Sequence, residues 1–564
     1  MKKLILKLVT VLSLTLGLNF TYGQSISPMI FGQNAWMPDS IGNVNYGGKL
    51  HKLWGAVGAS GATVVRFGGI SPDKNKPTNY QYVKMIDSIR SKGMEPIMQV
   101  PFNNGQYNAQ TAADIVKFIN VTKAKGVKYW IIGNEPNLAY GYTNSTQVAT
   151  YLKAYARAMK AVDPTIQTIG PEVAWYDRNI INGLTTPGGP DDVTGKDENG
   201  RYYIDIITFH TYPFKGTQTR GQVITNLTQS GGFESNLDEL SKRIDACNQF
   251  HGRTGASAVK FGVTEANVDY QNPAGDDLNG TGSNSFVGGQ FWAEMMGIAM
   301  KKGLFLFNFW SVTEGLEIGY INHSNLTKKP AYYHFQMMAK NFSGTYANST
   351  DNQANVKVFA SKNASTVSVM ILNQDQASNF NYTVNLTAGA VVSGNNNLKI
   401  NVDAGIAKEY TDAIDNQSTV VLVFNKAGEL MKKIEYKLNG HADANKAPTV
   451  YNYQTNTTTT TDQDTTKTVT AVNDGANSEV VKNRAYPNPM KGNFTIEVKT
   501  DKANAKLEMY NTVGQLVYKK QLTPENGVVK QKIDLSSNMA SGMYVVQVKE
   551  GENELYTTKM MLAK

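Results

Sequence analysis

Two glutamates in this chain each close an apolar, strand-like run, a setting that can hold carboxylates rigidly enough for proton transfer and nucleophilic attack. The first stands in Trp130-Ile131-Ile132-Gly133-Asn134-Glu135-Pro136-Asn137, where the apolar run stops abruptly and Pro136 sets the following turn. The second stands in Phe261-Gly262-Val263-Thr264-Glu265-Ala266-Asn267. Two carboxylates in different environments divide the labour of cleaving a glycosidic bond. One protonates the leaving oxygen, and the other stabilises or captures the oxocarbenium-like carbon. At a separation near ~5.5 Å the second carboxylate attacks the carbon itself, and configuration is retained.

Such a pair needs a scaffold that brings distant segments to one face. From Pro28 to about Phe342 short apolar runs alternate with amphipathic stretches, the pattern of a parallel α/β architecture. Eight strands are expected, at Met29–Trp36, Thr63–Gly69, Pro96–Phe102, Tyr129–Asn134, Gln167–Val173, Ile204–Tyr212, Lys260–Glu265 and Leu304–Trp310. Helices are expected over 81–92, ending at Gly93, over 109–125, ending at Gly126, and from Asn144-Ser145 to Asp163-Pro164. Eight strands and their helices over about 310 residues fit a (β/α)₈ TIM barrel. An open doubly wound sheet would carry a Gly-rich phosphate loop after its first strand, and Phe31-Gly32-Gln33-Asn34 is not one. In the barrel, Glu135 and Glu265 end the fourth and seventh strands, nearly opposite each other at the face where barrel active sites lie.

These residues resemble clan A of the glycoside hydrolases over about residues 28–342. The resemblance implies a retaining enzyme with Glu135 as general acid/base, Glu265 as nucleophile and Asn134 as the group that binds the sugar 2-hydroxyl. It implies that Arg66, at the end of the second strand, orients the nucleophile, and that His210 and Tyr212, at the end of the sixth, lie beside it. Trp310, closing the eighth strand, is expected to form a stacking floor under the sugar. Asn34 and Trp36 at the first strand, Asn103 after the third and Trp175 after the fifth are expected as substrate contacts. Glu172 and Glu314 are expected at the mouth as substrate contacts or loop anchors, and Glu95, on the opposite face, as structural.

The totals narrow the classes. The formal charge is +9 over 564 residues. Three lysines lie in the first 23 residues, and residues 482–564 carry 13 Lys/Arg against 8 Asp/Glu, so only +1 remains for the middle. Nucleic-acid binding has no electrostatic footprint there. Cys247 is the only cysteine, which excludes an internal disulfide, and the six histidines show no HExxH spacing, so no metal site and no cofactor are expected. Residues 1–23 read as an export signal, with Met-Lys-Lys, an apolar run from Leu4 to Phe20 and a short polar end.

Beyond the barrel, alternation as in Val367-Ser368-Val369 marks a β-sandwich over 343–440. Residues 441–482, rich in Thr, Asn, Asp and Ala, are expected to be a linker. Residues 483–564 contain Tyr486-Pro487-Asn488-Pro489, Asn511-Thr512-Val513-Gly514-Gln515-Leu516-Val517-Tyr518 and Ala540-Ser541-Gly542-Met543-Tyr544. This segment resembles the all-β C-terminal sorting domain of type IX secretion, which implies the secretion machinery as a partner and a secreted or cell-surface location.

The expected function is a monomeric, secreted, endo-acting β-glycanase that cleaves plant or algal polysaccharide. An exo-acting β-glycosidase or arabinofuranosidase is the alternative within the class. A non-catalytic polysaccharide-binding surface protein is the alternative outside it.

Overall fold

The computed structural model describes residues 24–36, 50–315, 317–389, 397–453 and, within 484–563, all but 487–489, 501–504, 512–514, 526, 537–538 and 552. The expected export signal and residues 454–482 of the expected linker lie outside the described residues. The chain divides into two compact units, Met1–Thr457 and Thr458–Lys564.

Eight parallel strands close a barrel in chain order: β1 (Gly32–Asn34), β2 (Val64–Phe67), β3 (Glu95–Val100), β4 (Tyr129–Ile132), β5 (Gln167–Val173), β6 (Ile206–Thr211), β7 (Lys260–Ala266) and β8 (Leu306–Phe309). Closure is made by β1 against β8, with Gly32 beside Asn308. A Cβ on Gly32 would lie 2.6 Å from Asn308 Nδ2, so the closing strand needs glycine there.

Strand alternation decides what each residue faces. Val64, Ile97, Tyr129, Ile131, Ile169, Ile206 and Leu306 form a small apolar cluster inside the barrel. Their neighbours Val65, Met98, Trp130, Ile132 and Ile207 join the large core between strands and helices. One pleat further along, the inward positions become polar yet stay buried: Arg66, Gln99, Thr208 and Thr264. The barrel is therefore apolar at its base and polar beneath its mouth.

The helices begin where local chemistry caps them. Thr78 and Gln81 form a capping box at Asn79–Arg90, and Asn144 accepts from Gln147 N at the start of Ser145–Val162. The single helix expected over 109–125 is instead α-helical over Ala109–Val116 and widens to a π turn over Lys117–Thr122. Within that turn the Asn120 side chain bonds both the N–H and the C=O of Val127 at 2.7 and 2.8 Å.

Two β-sheets follow the barrel. One has six strands in the spatial order Thr449–Asn452, Leu430–Lys437, Ser418–Asn425, Thr366–Asn373, Val356–Lys362 and Thr345–Ala347. The other has four, in the order Ser349–Asp351, Leu398–Val402, Phe380–Asn385 and Glu409–Ile414. They enclose one core containing Val369, Ile371, Val384, Ile400 and Leu422. The expected start of the linker at 441 is corrected: Thr449–Asn452 adds an edge strand, with Val450 opposite Ile434. Four residues, three of them exposed, carry too little alternation to announce a strand, and main-chain pairing places it. In the C-terminal unit a three-stranded and a four-stranded sheet share a core that includes Phe494, Ile496, Leu507 and Val546.

The helix Phe286–Lys301 is buried on nearly every side because it lies between barrel and sandwich. Gln290 Nε2 donates to the carbonyls of Asn373 and Ser418 at 3.0 and 3.1 Å. Nearby, His334 donates from Nδ1 to Pro330 O and meets Thr419 Oγ1 through Nε2, both at 2.8 Å. Burial pushes the His334 imidazole down from 6.5 to about 4. The unfolded chain therefore takes up a proton that the folded chain refuses, and stability falls as pH drops through that window. Urea unfolding should show a loss of up to about 3 kcal/mol from this group between pH 7 and pH 4. His334→Gln should flatten that part of the slope, and a slope equal to the parent's would contradict the assignment.

Candidate active site

The polar layer under the mouth is organised around one guanidinium. Arg66, on β2, is fully buried. Its Nη1 donates to Glu265 Oε1 at 2.8 Å and Asn34 Oδ1 at 2.9 Å. Its Nη2 donates to Asn134 Oδ1 at 2.8 Å and Glu172 Oε2 at 3.0 Å. One planar cation thus ties the ends of β1, β4, β5 and β7 together.

A second cation stands beside it. His210, at the end of β6, is fully buried, with Nδ1 2.9 Å from Glu135 Oε1 and 3.6 Å from Glu265 Oε2. Its Nε2 lies 3.3 Å from Glu172 Oε2. Burial disfavours the imidazolium, but Glu265, Glu135 and Glu172 outweigh it and hold His210 up at about 10. Both ring nitrogens face carboxylates, which favour the protonated ring. Glu135, His210 and Glu265 offer ligand atoms that lie within 4.8 Å of one another.

The two glutamates differ in setting. Glu265 is almost fully buried, and Tyr212 O–H donates to its Oε2 at 2.8 Å while Arg66 serves Oε1. Burial pushes its carboxyl above the ordinary value, against the pull of His210 and Arg66. The Glu135 side chain is 16 % exposed and opens to the mouth. Its backbone is left-handed at φ 45°, ψ 55°, just before Pro136 starts a short helix. That conformation is costly for a residue with a Cβ and is held by Glu135 N donating to Glu172 O at 2.9 Å.

Glu172 does not line the mouth, as expected, but lies buried beneath the pair. It accepts from Thr208 Oγ1 at 2.5 Å and Thr264 Oγ1 at 2.7 Å as well as from Arg66. Burial works against its charge, but Arg66 and His210 hold it at about 2. The backbone at Glu172 turns through φ 58° and shifts the β5–β6 register between Pro171 and Val173, which carries the side chain inward. Nothing in the residue types of Pro171-Glu172-Val173 announces this. Gln99, Thr208 and Thr264 also join this network, and their one signal in the sequence is a polar residue at an inward strand position.

Asn34 is corrected from substrate contact to support. Its amide is used up by Arg66, Thr264 O and Phe309 O and is fully buried. Arg66 likewise has no surface to offer a ligand. Asn103 lies in a turn, bonded to Gln106, apart from the cluster. Trp175 is 48 % exposed on the loop after β5. Trp310 and Trp36 pack over Gly69, whose φ is 110° and whose absent Cβ would lie 2.7 Å from the Trp310 ring. Trp310 Nε1 donates to Glu314, and burial pushes that carboxyl up to about 7. Asp73 ties down the loops around them: it accepts from Phe102 N at 2.8 Å and from Tyr140 O–H at 2.6 Å.

Removing one partner of a buried ion pair costs about 3–5 kcal/mol, because the other charge stays behind without water. Glu172→Gln should therefore lower stability by about 3 kcal/mol in chemical denaturation. A variant as stable as the parent would show that Glu172 does not carry the charge balance under the pair.

Residues 484–563 match the family model described as secretion system C-terminal sorting domain. Ulvan lyase NLR42 of Nonlabens ulvanivorans is 38% identical over 77 residues, and that match covers 14% of this chain and 14% of the lyase. The alpha-L-arabinofuranosidase of Thermotoga maritima superposes with a TM-score of 0.53 at 16% identity, over 71% of this chain and 97% of that one. The GH51 alpha-L-arabinofuranosidase of Thermotoga petrophila RKU-1 gives 0.52 at 16% identity, with the same coverage. The chain thus shares with these two structures the fold of a (β/α)₈ barrel followed by a β-sandwich, and it carries a secretion system C-terminal sorting domain over residues 484–563.

Proposed function

We propose that this protein is an exported retaining glycoside hydrolase that cuts polysaccharide internally, with Glu135 as acid/base and Glu265 as nucleophile. The observation that carries the reading is the pair itself: carboxylate oxygens of Glu135 and Glu265 within 4.8 Å of each other at the end of a barrel. A retaining pair stands about 5–5.5 Å apart, whereas an inverting pair needs the room of a water molecule. Glu265 receives hydrogen bonds on both oxygens from groups that only donate to it, which suits an anion aimed at the anomeric carbon. Glu135 meets His210 with one oxygen, leaving the other to pass a proton to the leaving group and later to take one from water. Arg66 fixes Asn134 Oδ1, so the amide NH₂ is the end left for a sugar hydroxyl.

Internal cleavage is supported by the rim. Ile70, Leu138, Trp175 and Tyr270 are exposed on the loops after β2, β4, β5 and β7, which offers apolar surface to several sugar units rather than to one. The second reading, an arabinofuranosidase, is favoured by the fold likeness to the Thermotoga enzymes. The sorting domain supports export with release or attachment at the cell surface, and the barrel chemistry then acts outside the cell.

Reducing-sugar release from β-glucan, xylan, mannan, agarose and arabinan tests the proposal. Glu135→Ala and Glu265→Ala should each lose at least ~10³-fold in kcat. Azide should rescue Glu265→Ala with a product of inverted configuration. Variants that cut as fast as the parent would sink the two-carboxylate reading. Release of single arabinose units with no fall in polymer length would replace endo action by the second reading. Because burial holds Glu265 above 4.5, the acid limb of kcat/KM should lie above pH 4.5, activity being lost as the nucleophile gains a proton.

A further inference from the structure

A second polar recess lies away from the Glu135–Glu265 pair, where the barrel meets the sandwich. Arg220 begins the short helix Arg220–Thr225 after β6. Two residues earlier, Gln218 Nε2 donates at 2.6 Å to Asp269, four positions beyond Glu265, so this corner is at the mouth end of the barrel. Arg220 Nη2 donates to Gln374 O at 2.9 Å. Its Nε and Nη1 are buried and have no acceptor in the protein. Gln374 is fully buried, and its Oε1 has no donor.

Two cavities meet here. One of about 350 Å³ is lined by Arg220, Gln374, Asn355 and Asp375. The other, of about 480 Å³, shares Asn355 and Asp375 and continues past Asn379 to Phe380. Each has the size of a small-molecule site. Asp375 is ionised throughout the working range: burial resists the charge, but Asn355 Nδ2 and the N–H groups of Ala377 and Ser378 hold it at about 2.

We propose that this groove binds a neutral glycan chain as a second carbohydrate site. Unmet donors on Arg220 stand beside the acceptors of Asp375 and Gln374, a mixture that matches sugar hydroxyls, each both donor and acceptor. The Asp375 charge opposes a sulfate or phosphate at Arg220. Phe380, half-buried at the far end, gives a ring face for an adjoining sugar. Buried N–H groups without an acceptor are costly, and a ligand that meets Nε and Nη1 of Arg220 recovers that cost on binding. The identity of the polymer rests on the proposed function of the barrel, while the groove itself does not.

The test is affinity electrophoresis of the full chain carrying Glu265→Gln, in gels containing arabinan, xylan, agarose or carrageenan, a sulfated galactan. One neutral polymer should retard the protein, and adding Arg220→Ala with Asp375→Ala should weaken retardation about fivefold. The melting midpoint should stay within about 4 °C of the parent. Phe380→Ala, which leaves the charged end intact, should weaken the same polymer to a smaller degree. Unchanged retardation in both variants, or none by any neutral polymer, overturns the groove even if the wild type cuts its substrate. Retardation lost in the variants while the wild type cuts nothing in the panel supports the groove and counts against the hydrolase reading. Retardation by carrageenan alone overturns the neutral-sugar assignment in favour of an anion site.

Discussion

Arg66 has no contact with water, and a guanidinium cannot shed its charge, so the top of the barrel must be built to neutralise it. Glu265 does so at Nη1 and Glu172 at Nη2, with Asn34 and Asn134 each accepting one further hydrogen bond. His210 then fits as a second cation because three carboxylates surround it. Each of these groups would be expensive to bury alone, and together they leave little freedom in where Glu265 can point. The position of the reacting pair is a consequence of this charge balance.

The layered barrel allows that balance to exist. Apolar residues seal the base, so the polar layer lies in a water-poor interior where ion pairs are strong and geometry is stiff. Above it, Asp73 ties the loops after β2, β3 and β4 together, and Trp310 rests on the bare backbone of Gly69. Behind it, the helix Phe286–Lys301 and His334 couple the barrel to the sandwich through Asn373, Ser418 and Thr419. Around these bonds the joint is apolar, with Phe359, Met370, Leu372, Val421 and Tyr436 of the sandwich in the same core as the barrel helices, and the recess at Arg220 lies beside it.

Much of the fold could be read before the structure. Each of the eight expected segments overlaps one of β1–β8, though the first spans eight residues where the strand has three, since apolar runs separated by capped helices leave few other arrangements. Thr449–Asn452 escaped because an edge strand owes its place to backbone pairing, which side-chain types barely record. Within the site, Arg66, His210 and Tyr212 stand at strand tips and do converge on Glu265. Asn34 reads from the sequence as a ligand contact yet supports Arg66, because a strand end says nothing about what occupies the amide.

The amino-acid sequence by itself determined the barrel, the two glutamates at the tips of opposed strands and the sorting domain, because periodicity and short motifs are local and survive in one dimension. Only the tertiary structure decided that Glu172 lies beneath the pair, that His210 carries a charge, and that Glu135 and Glu265 come within 4.8 Å of each other. Those properties depend on burial and on neighbours up to 199 positions apart, as between Arg66 and Glu265. Coulomb energy and desolvation act through space, and no local pattern of residues encodes them.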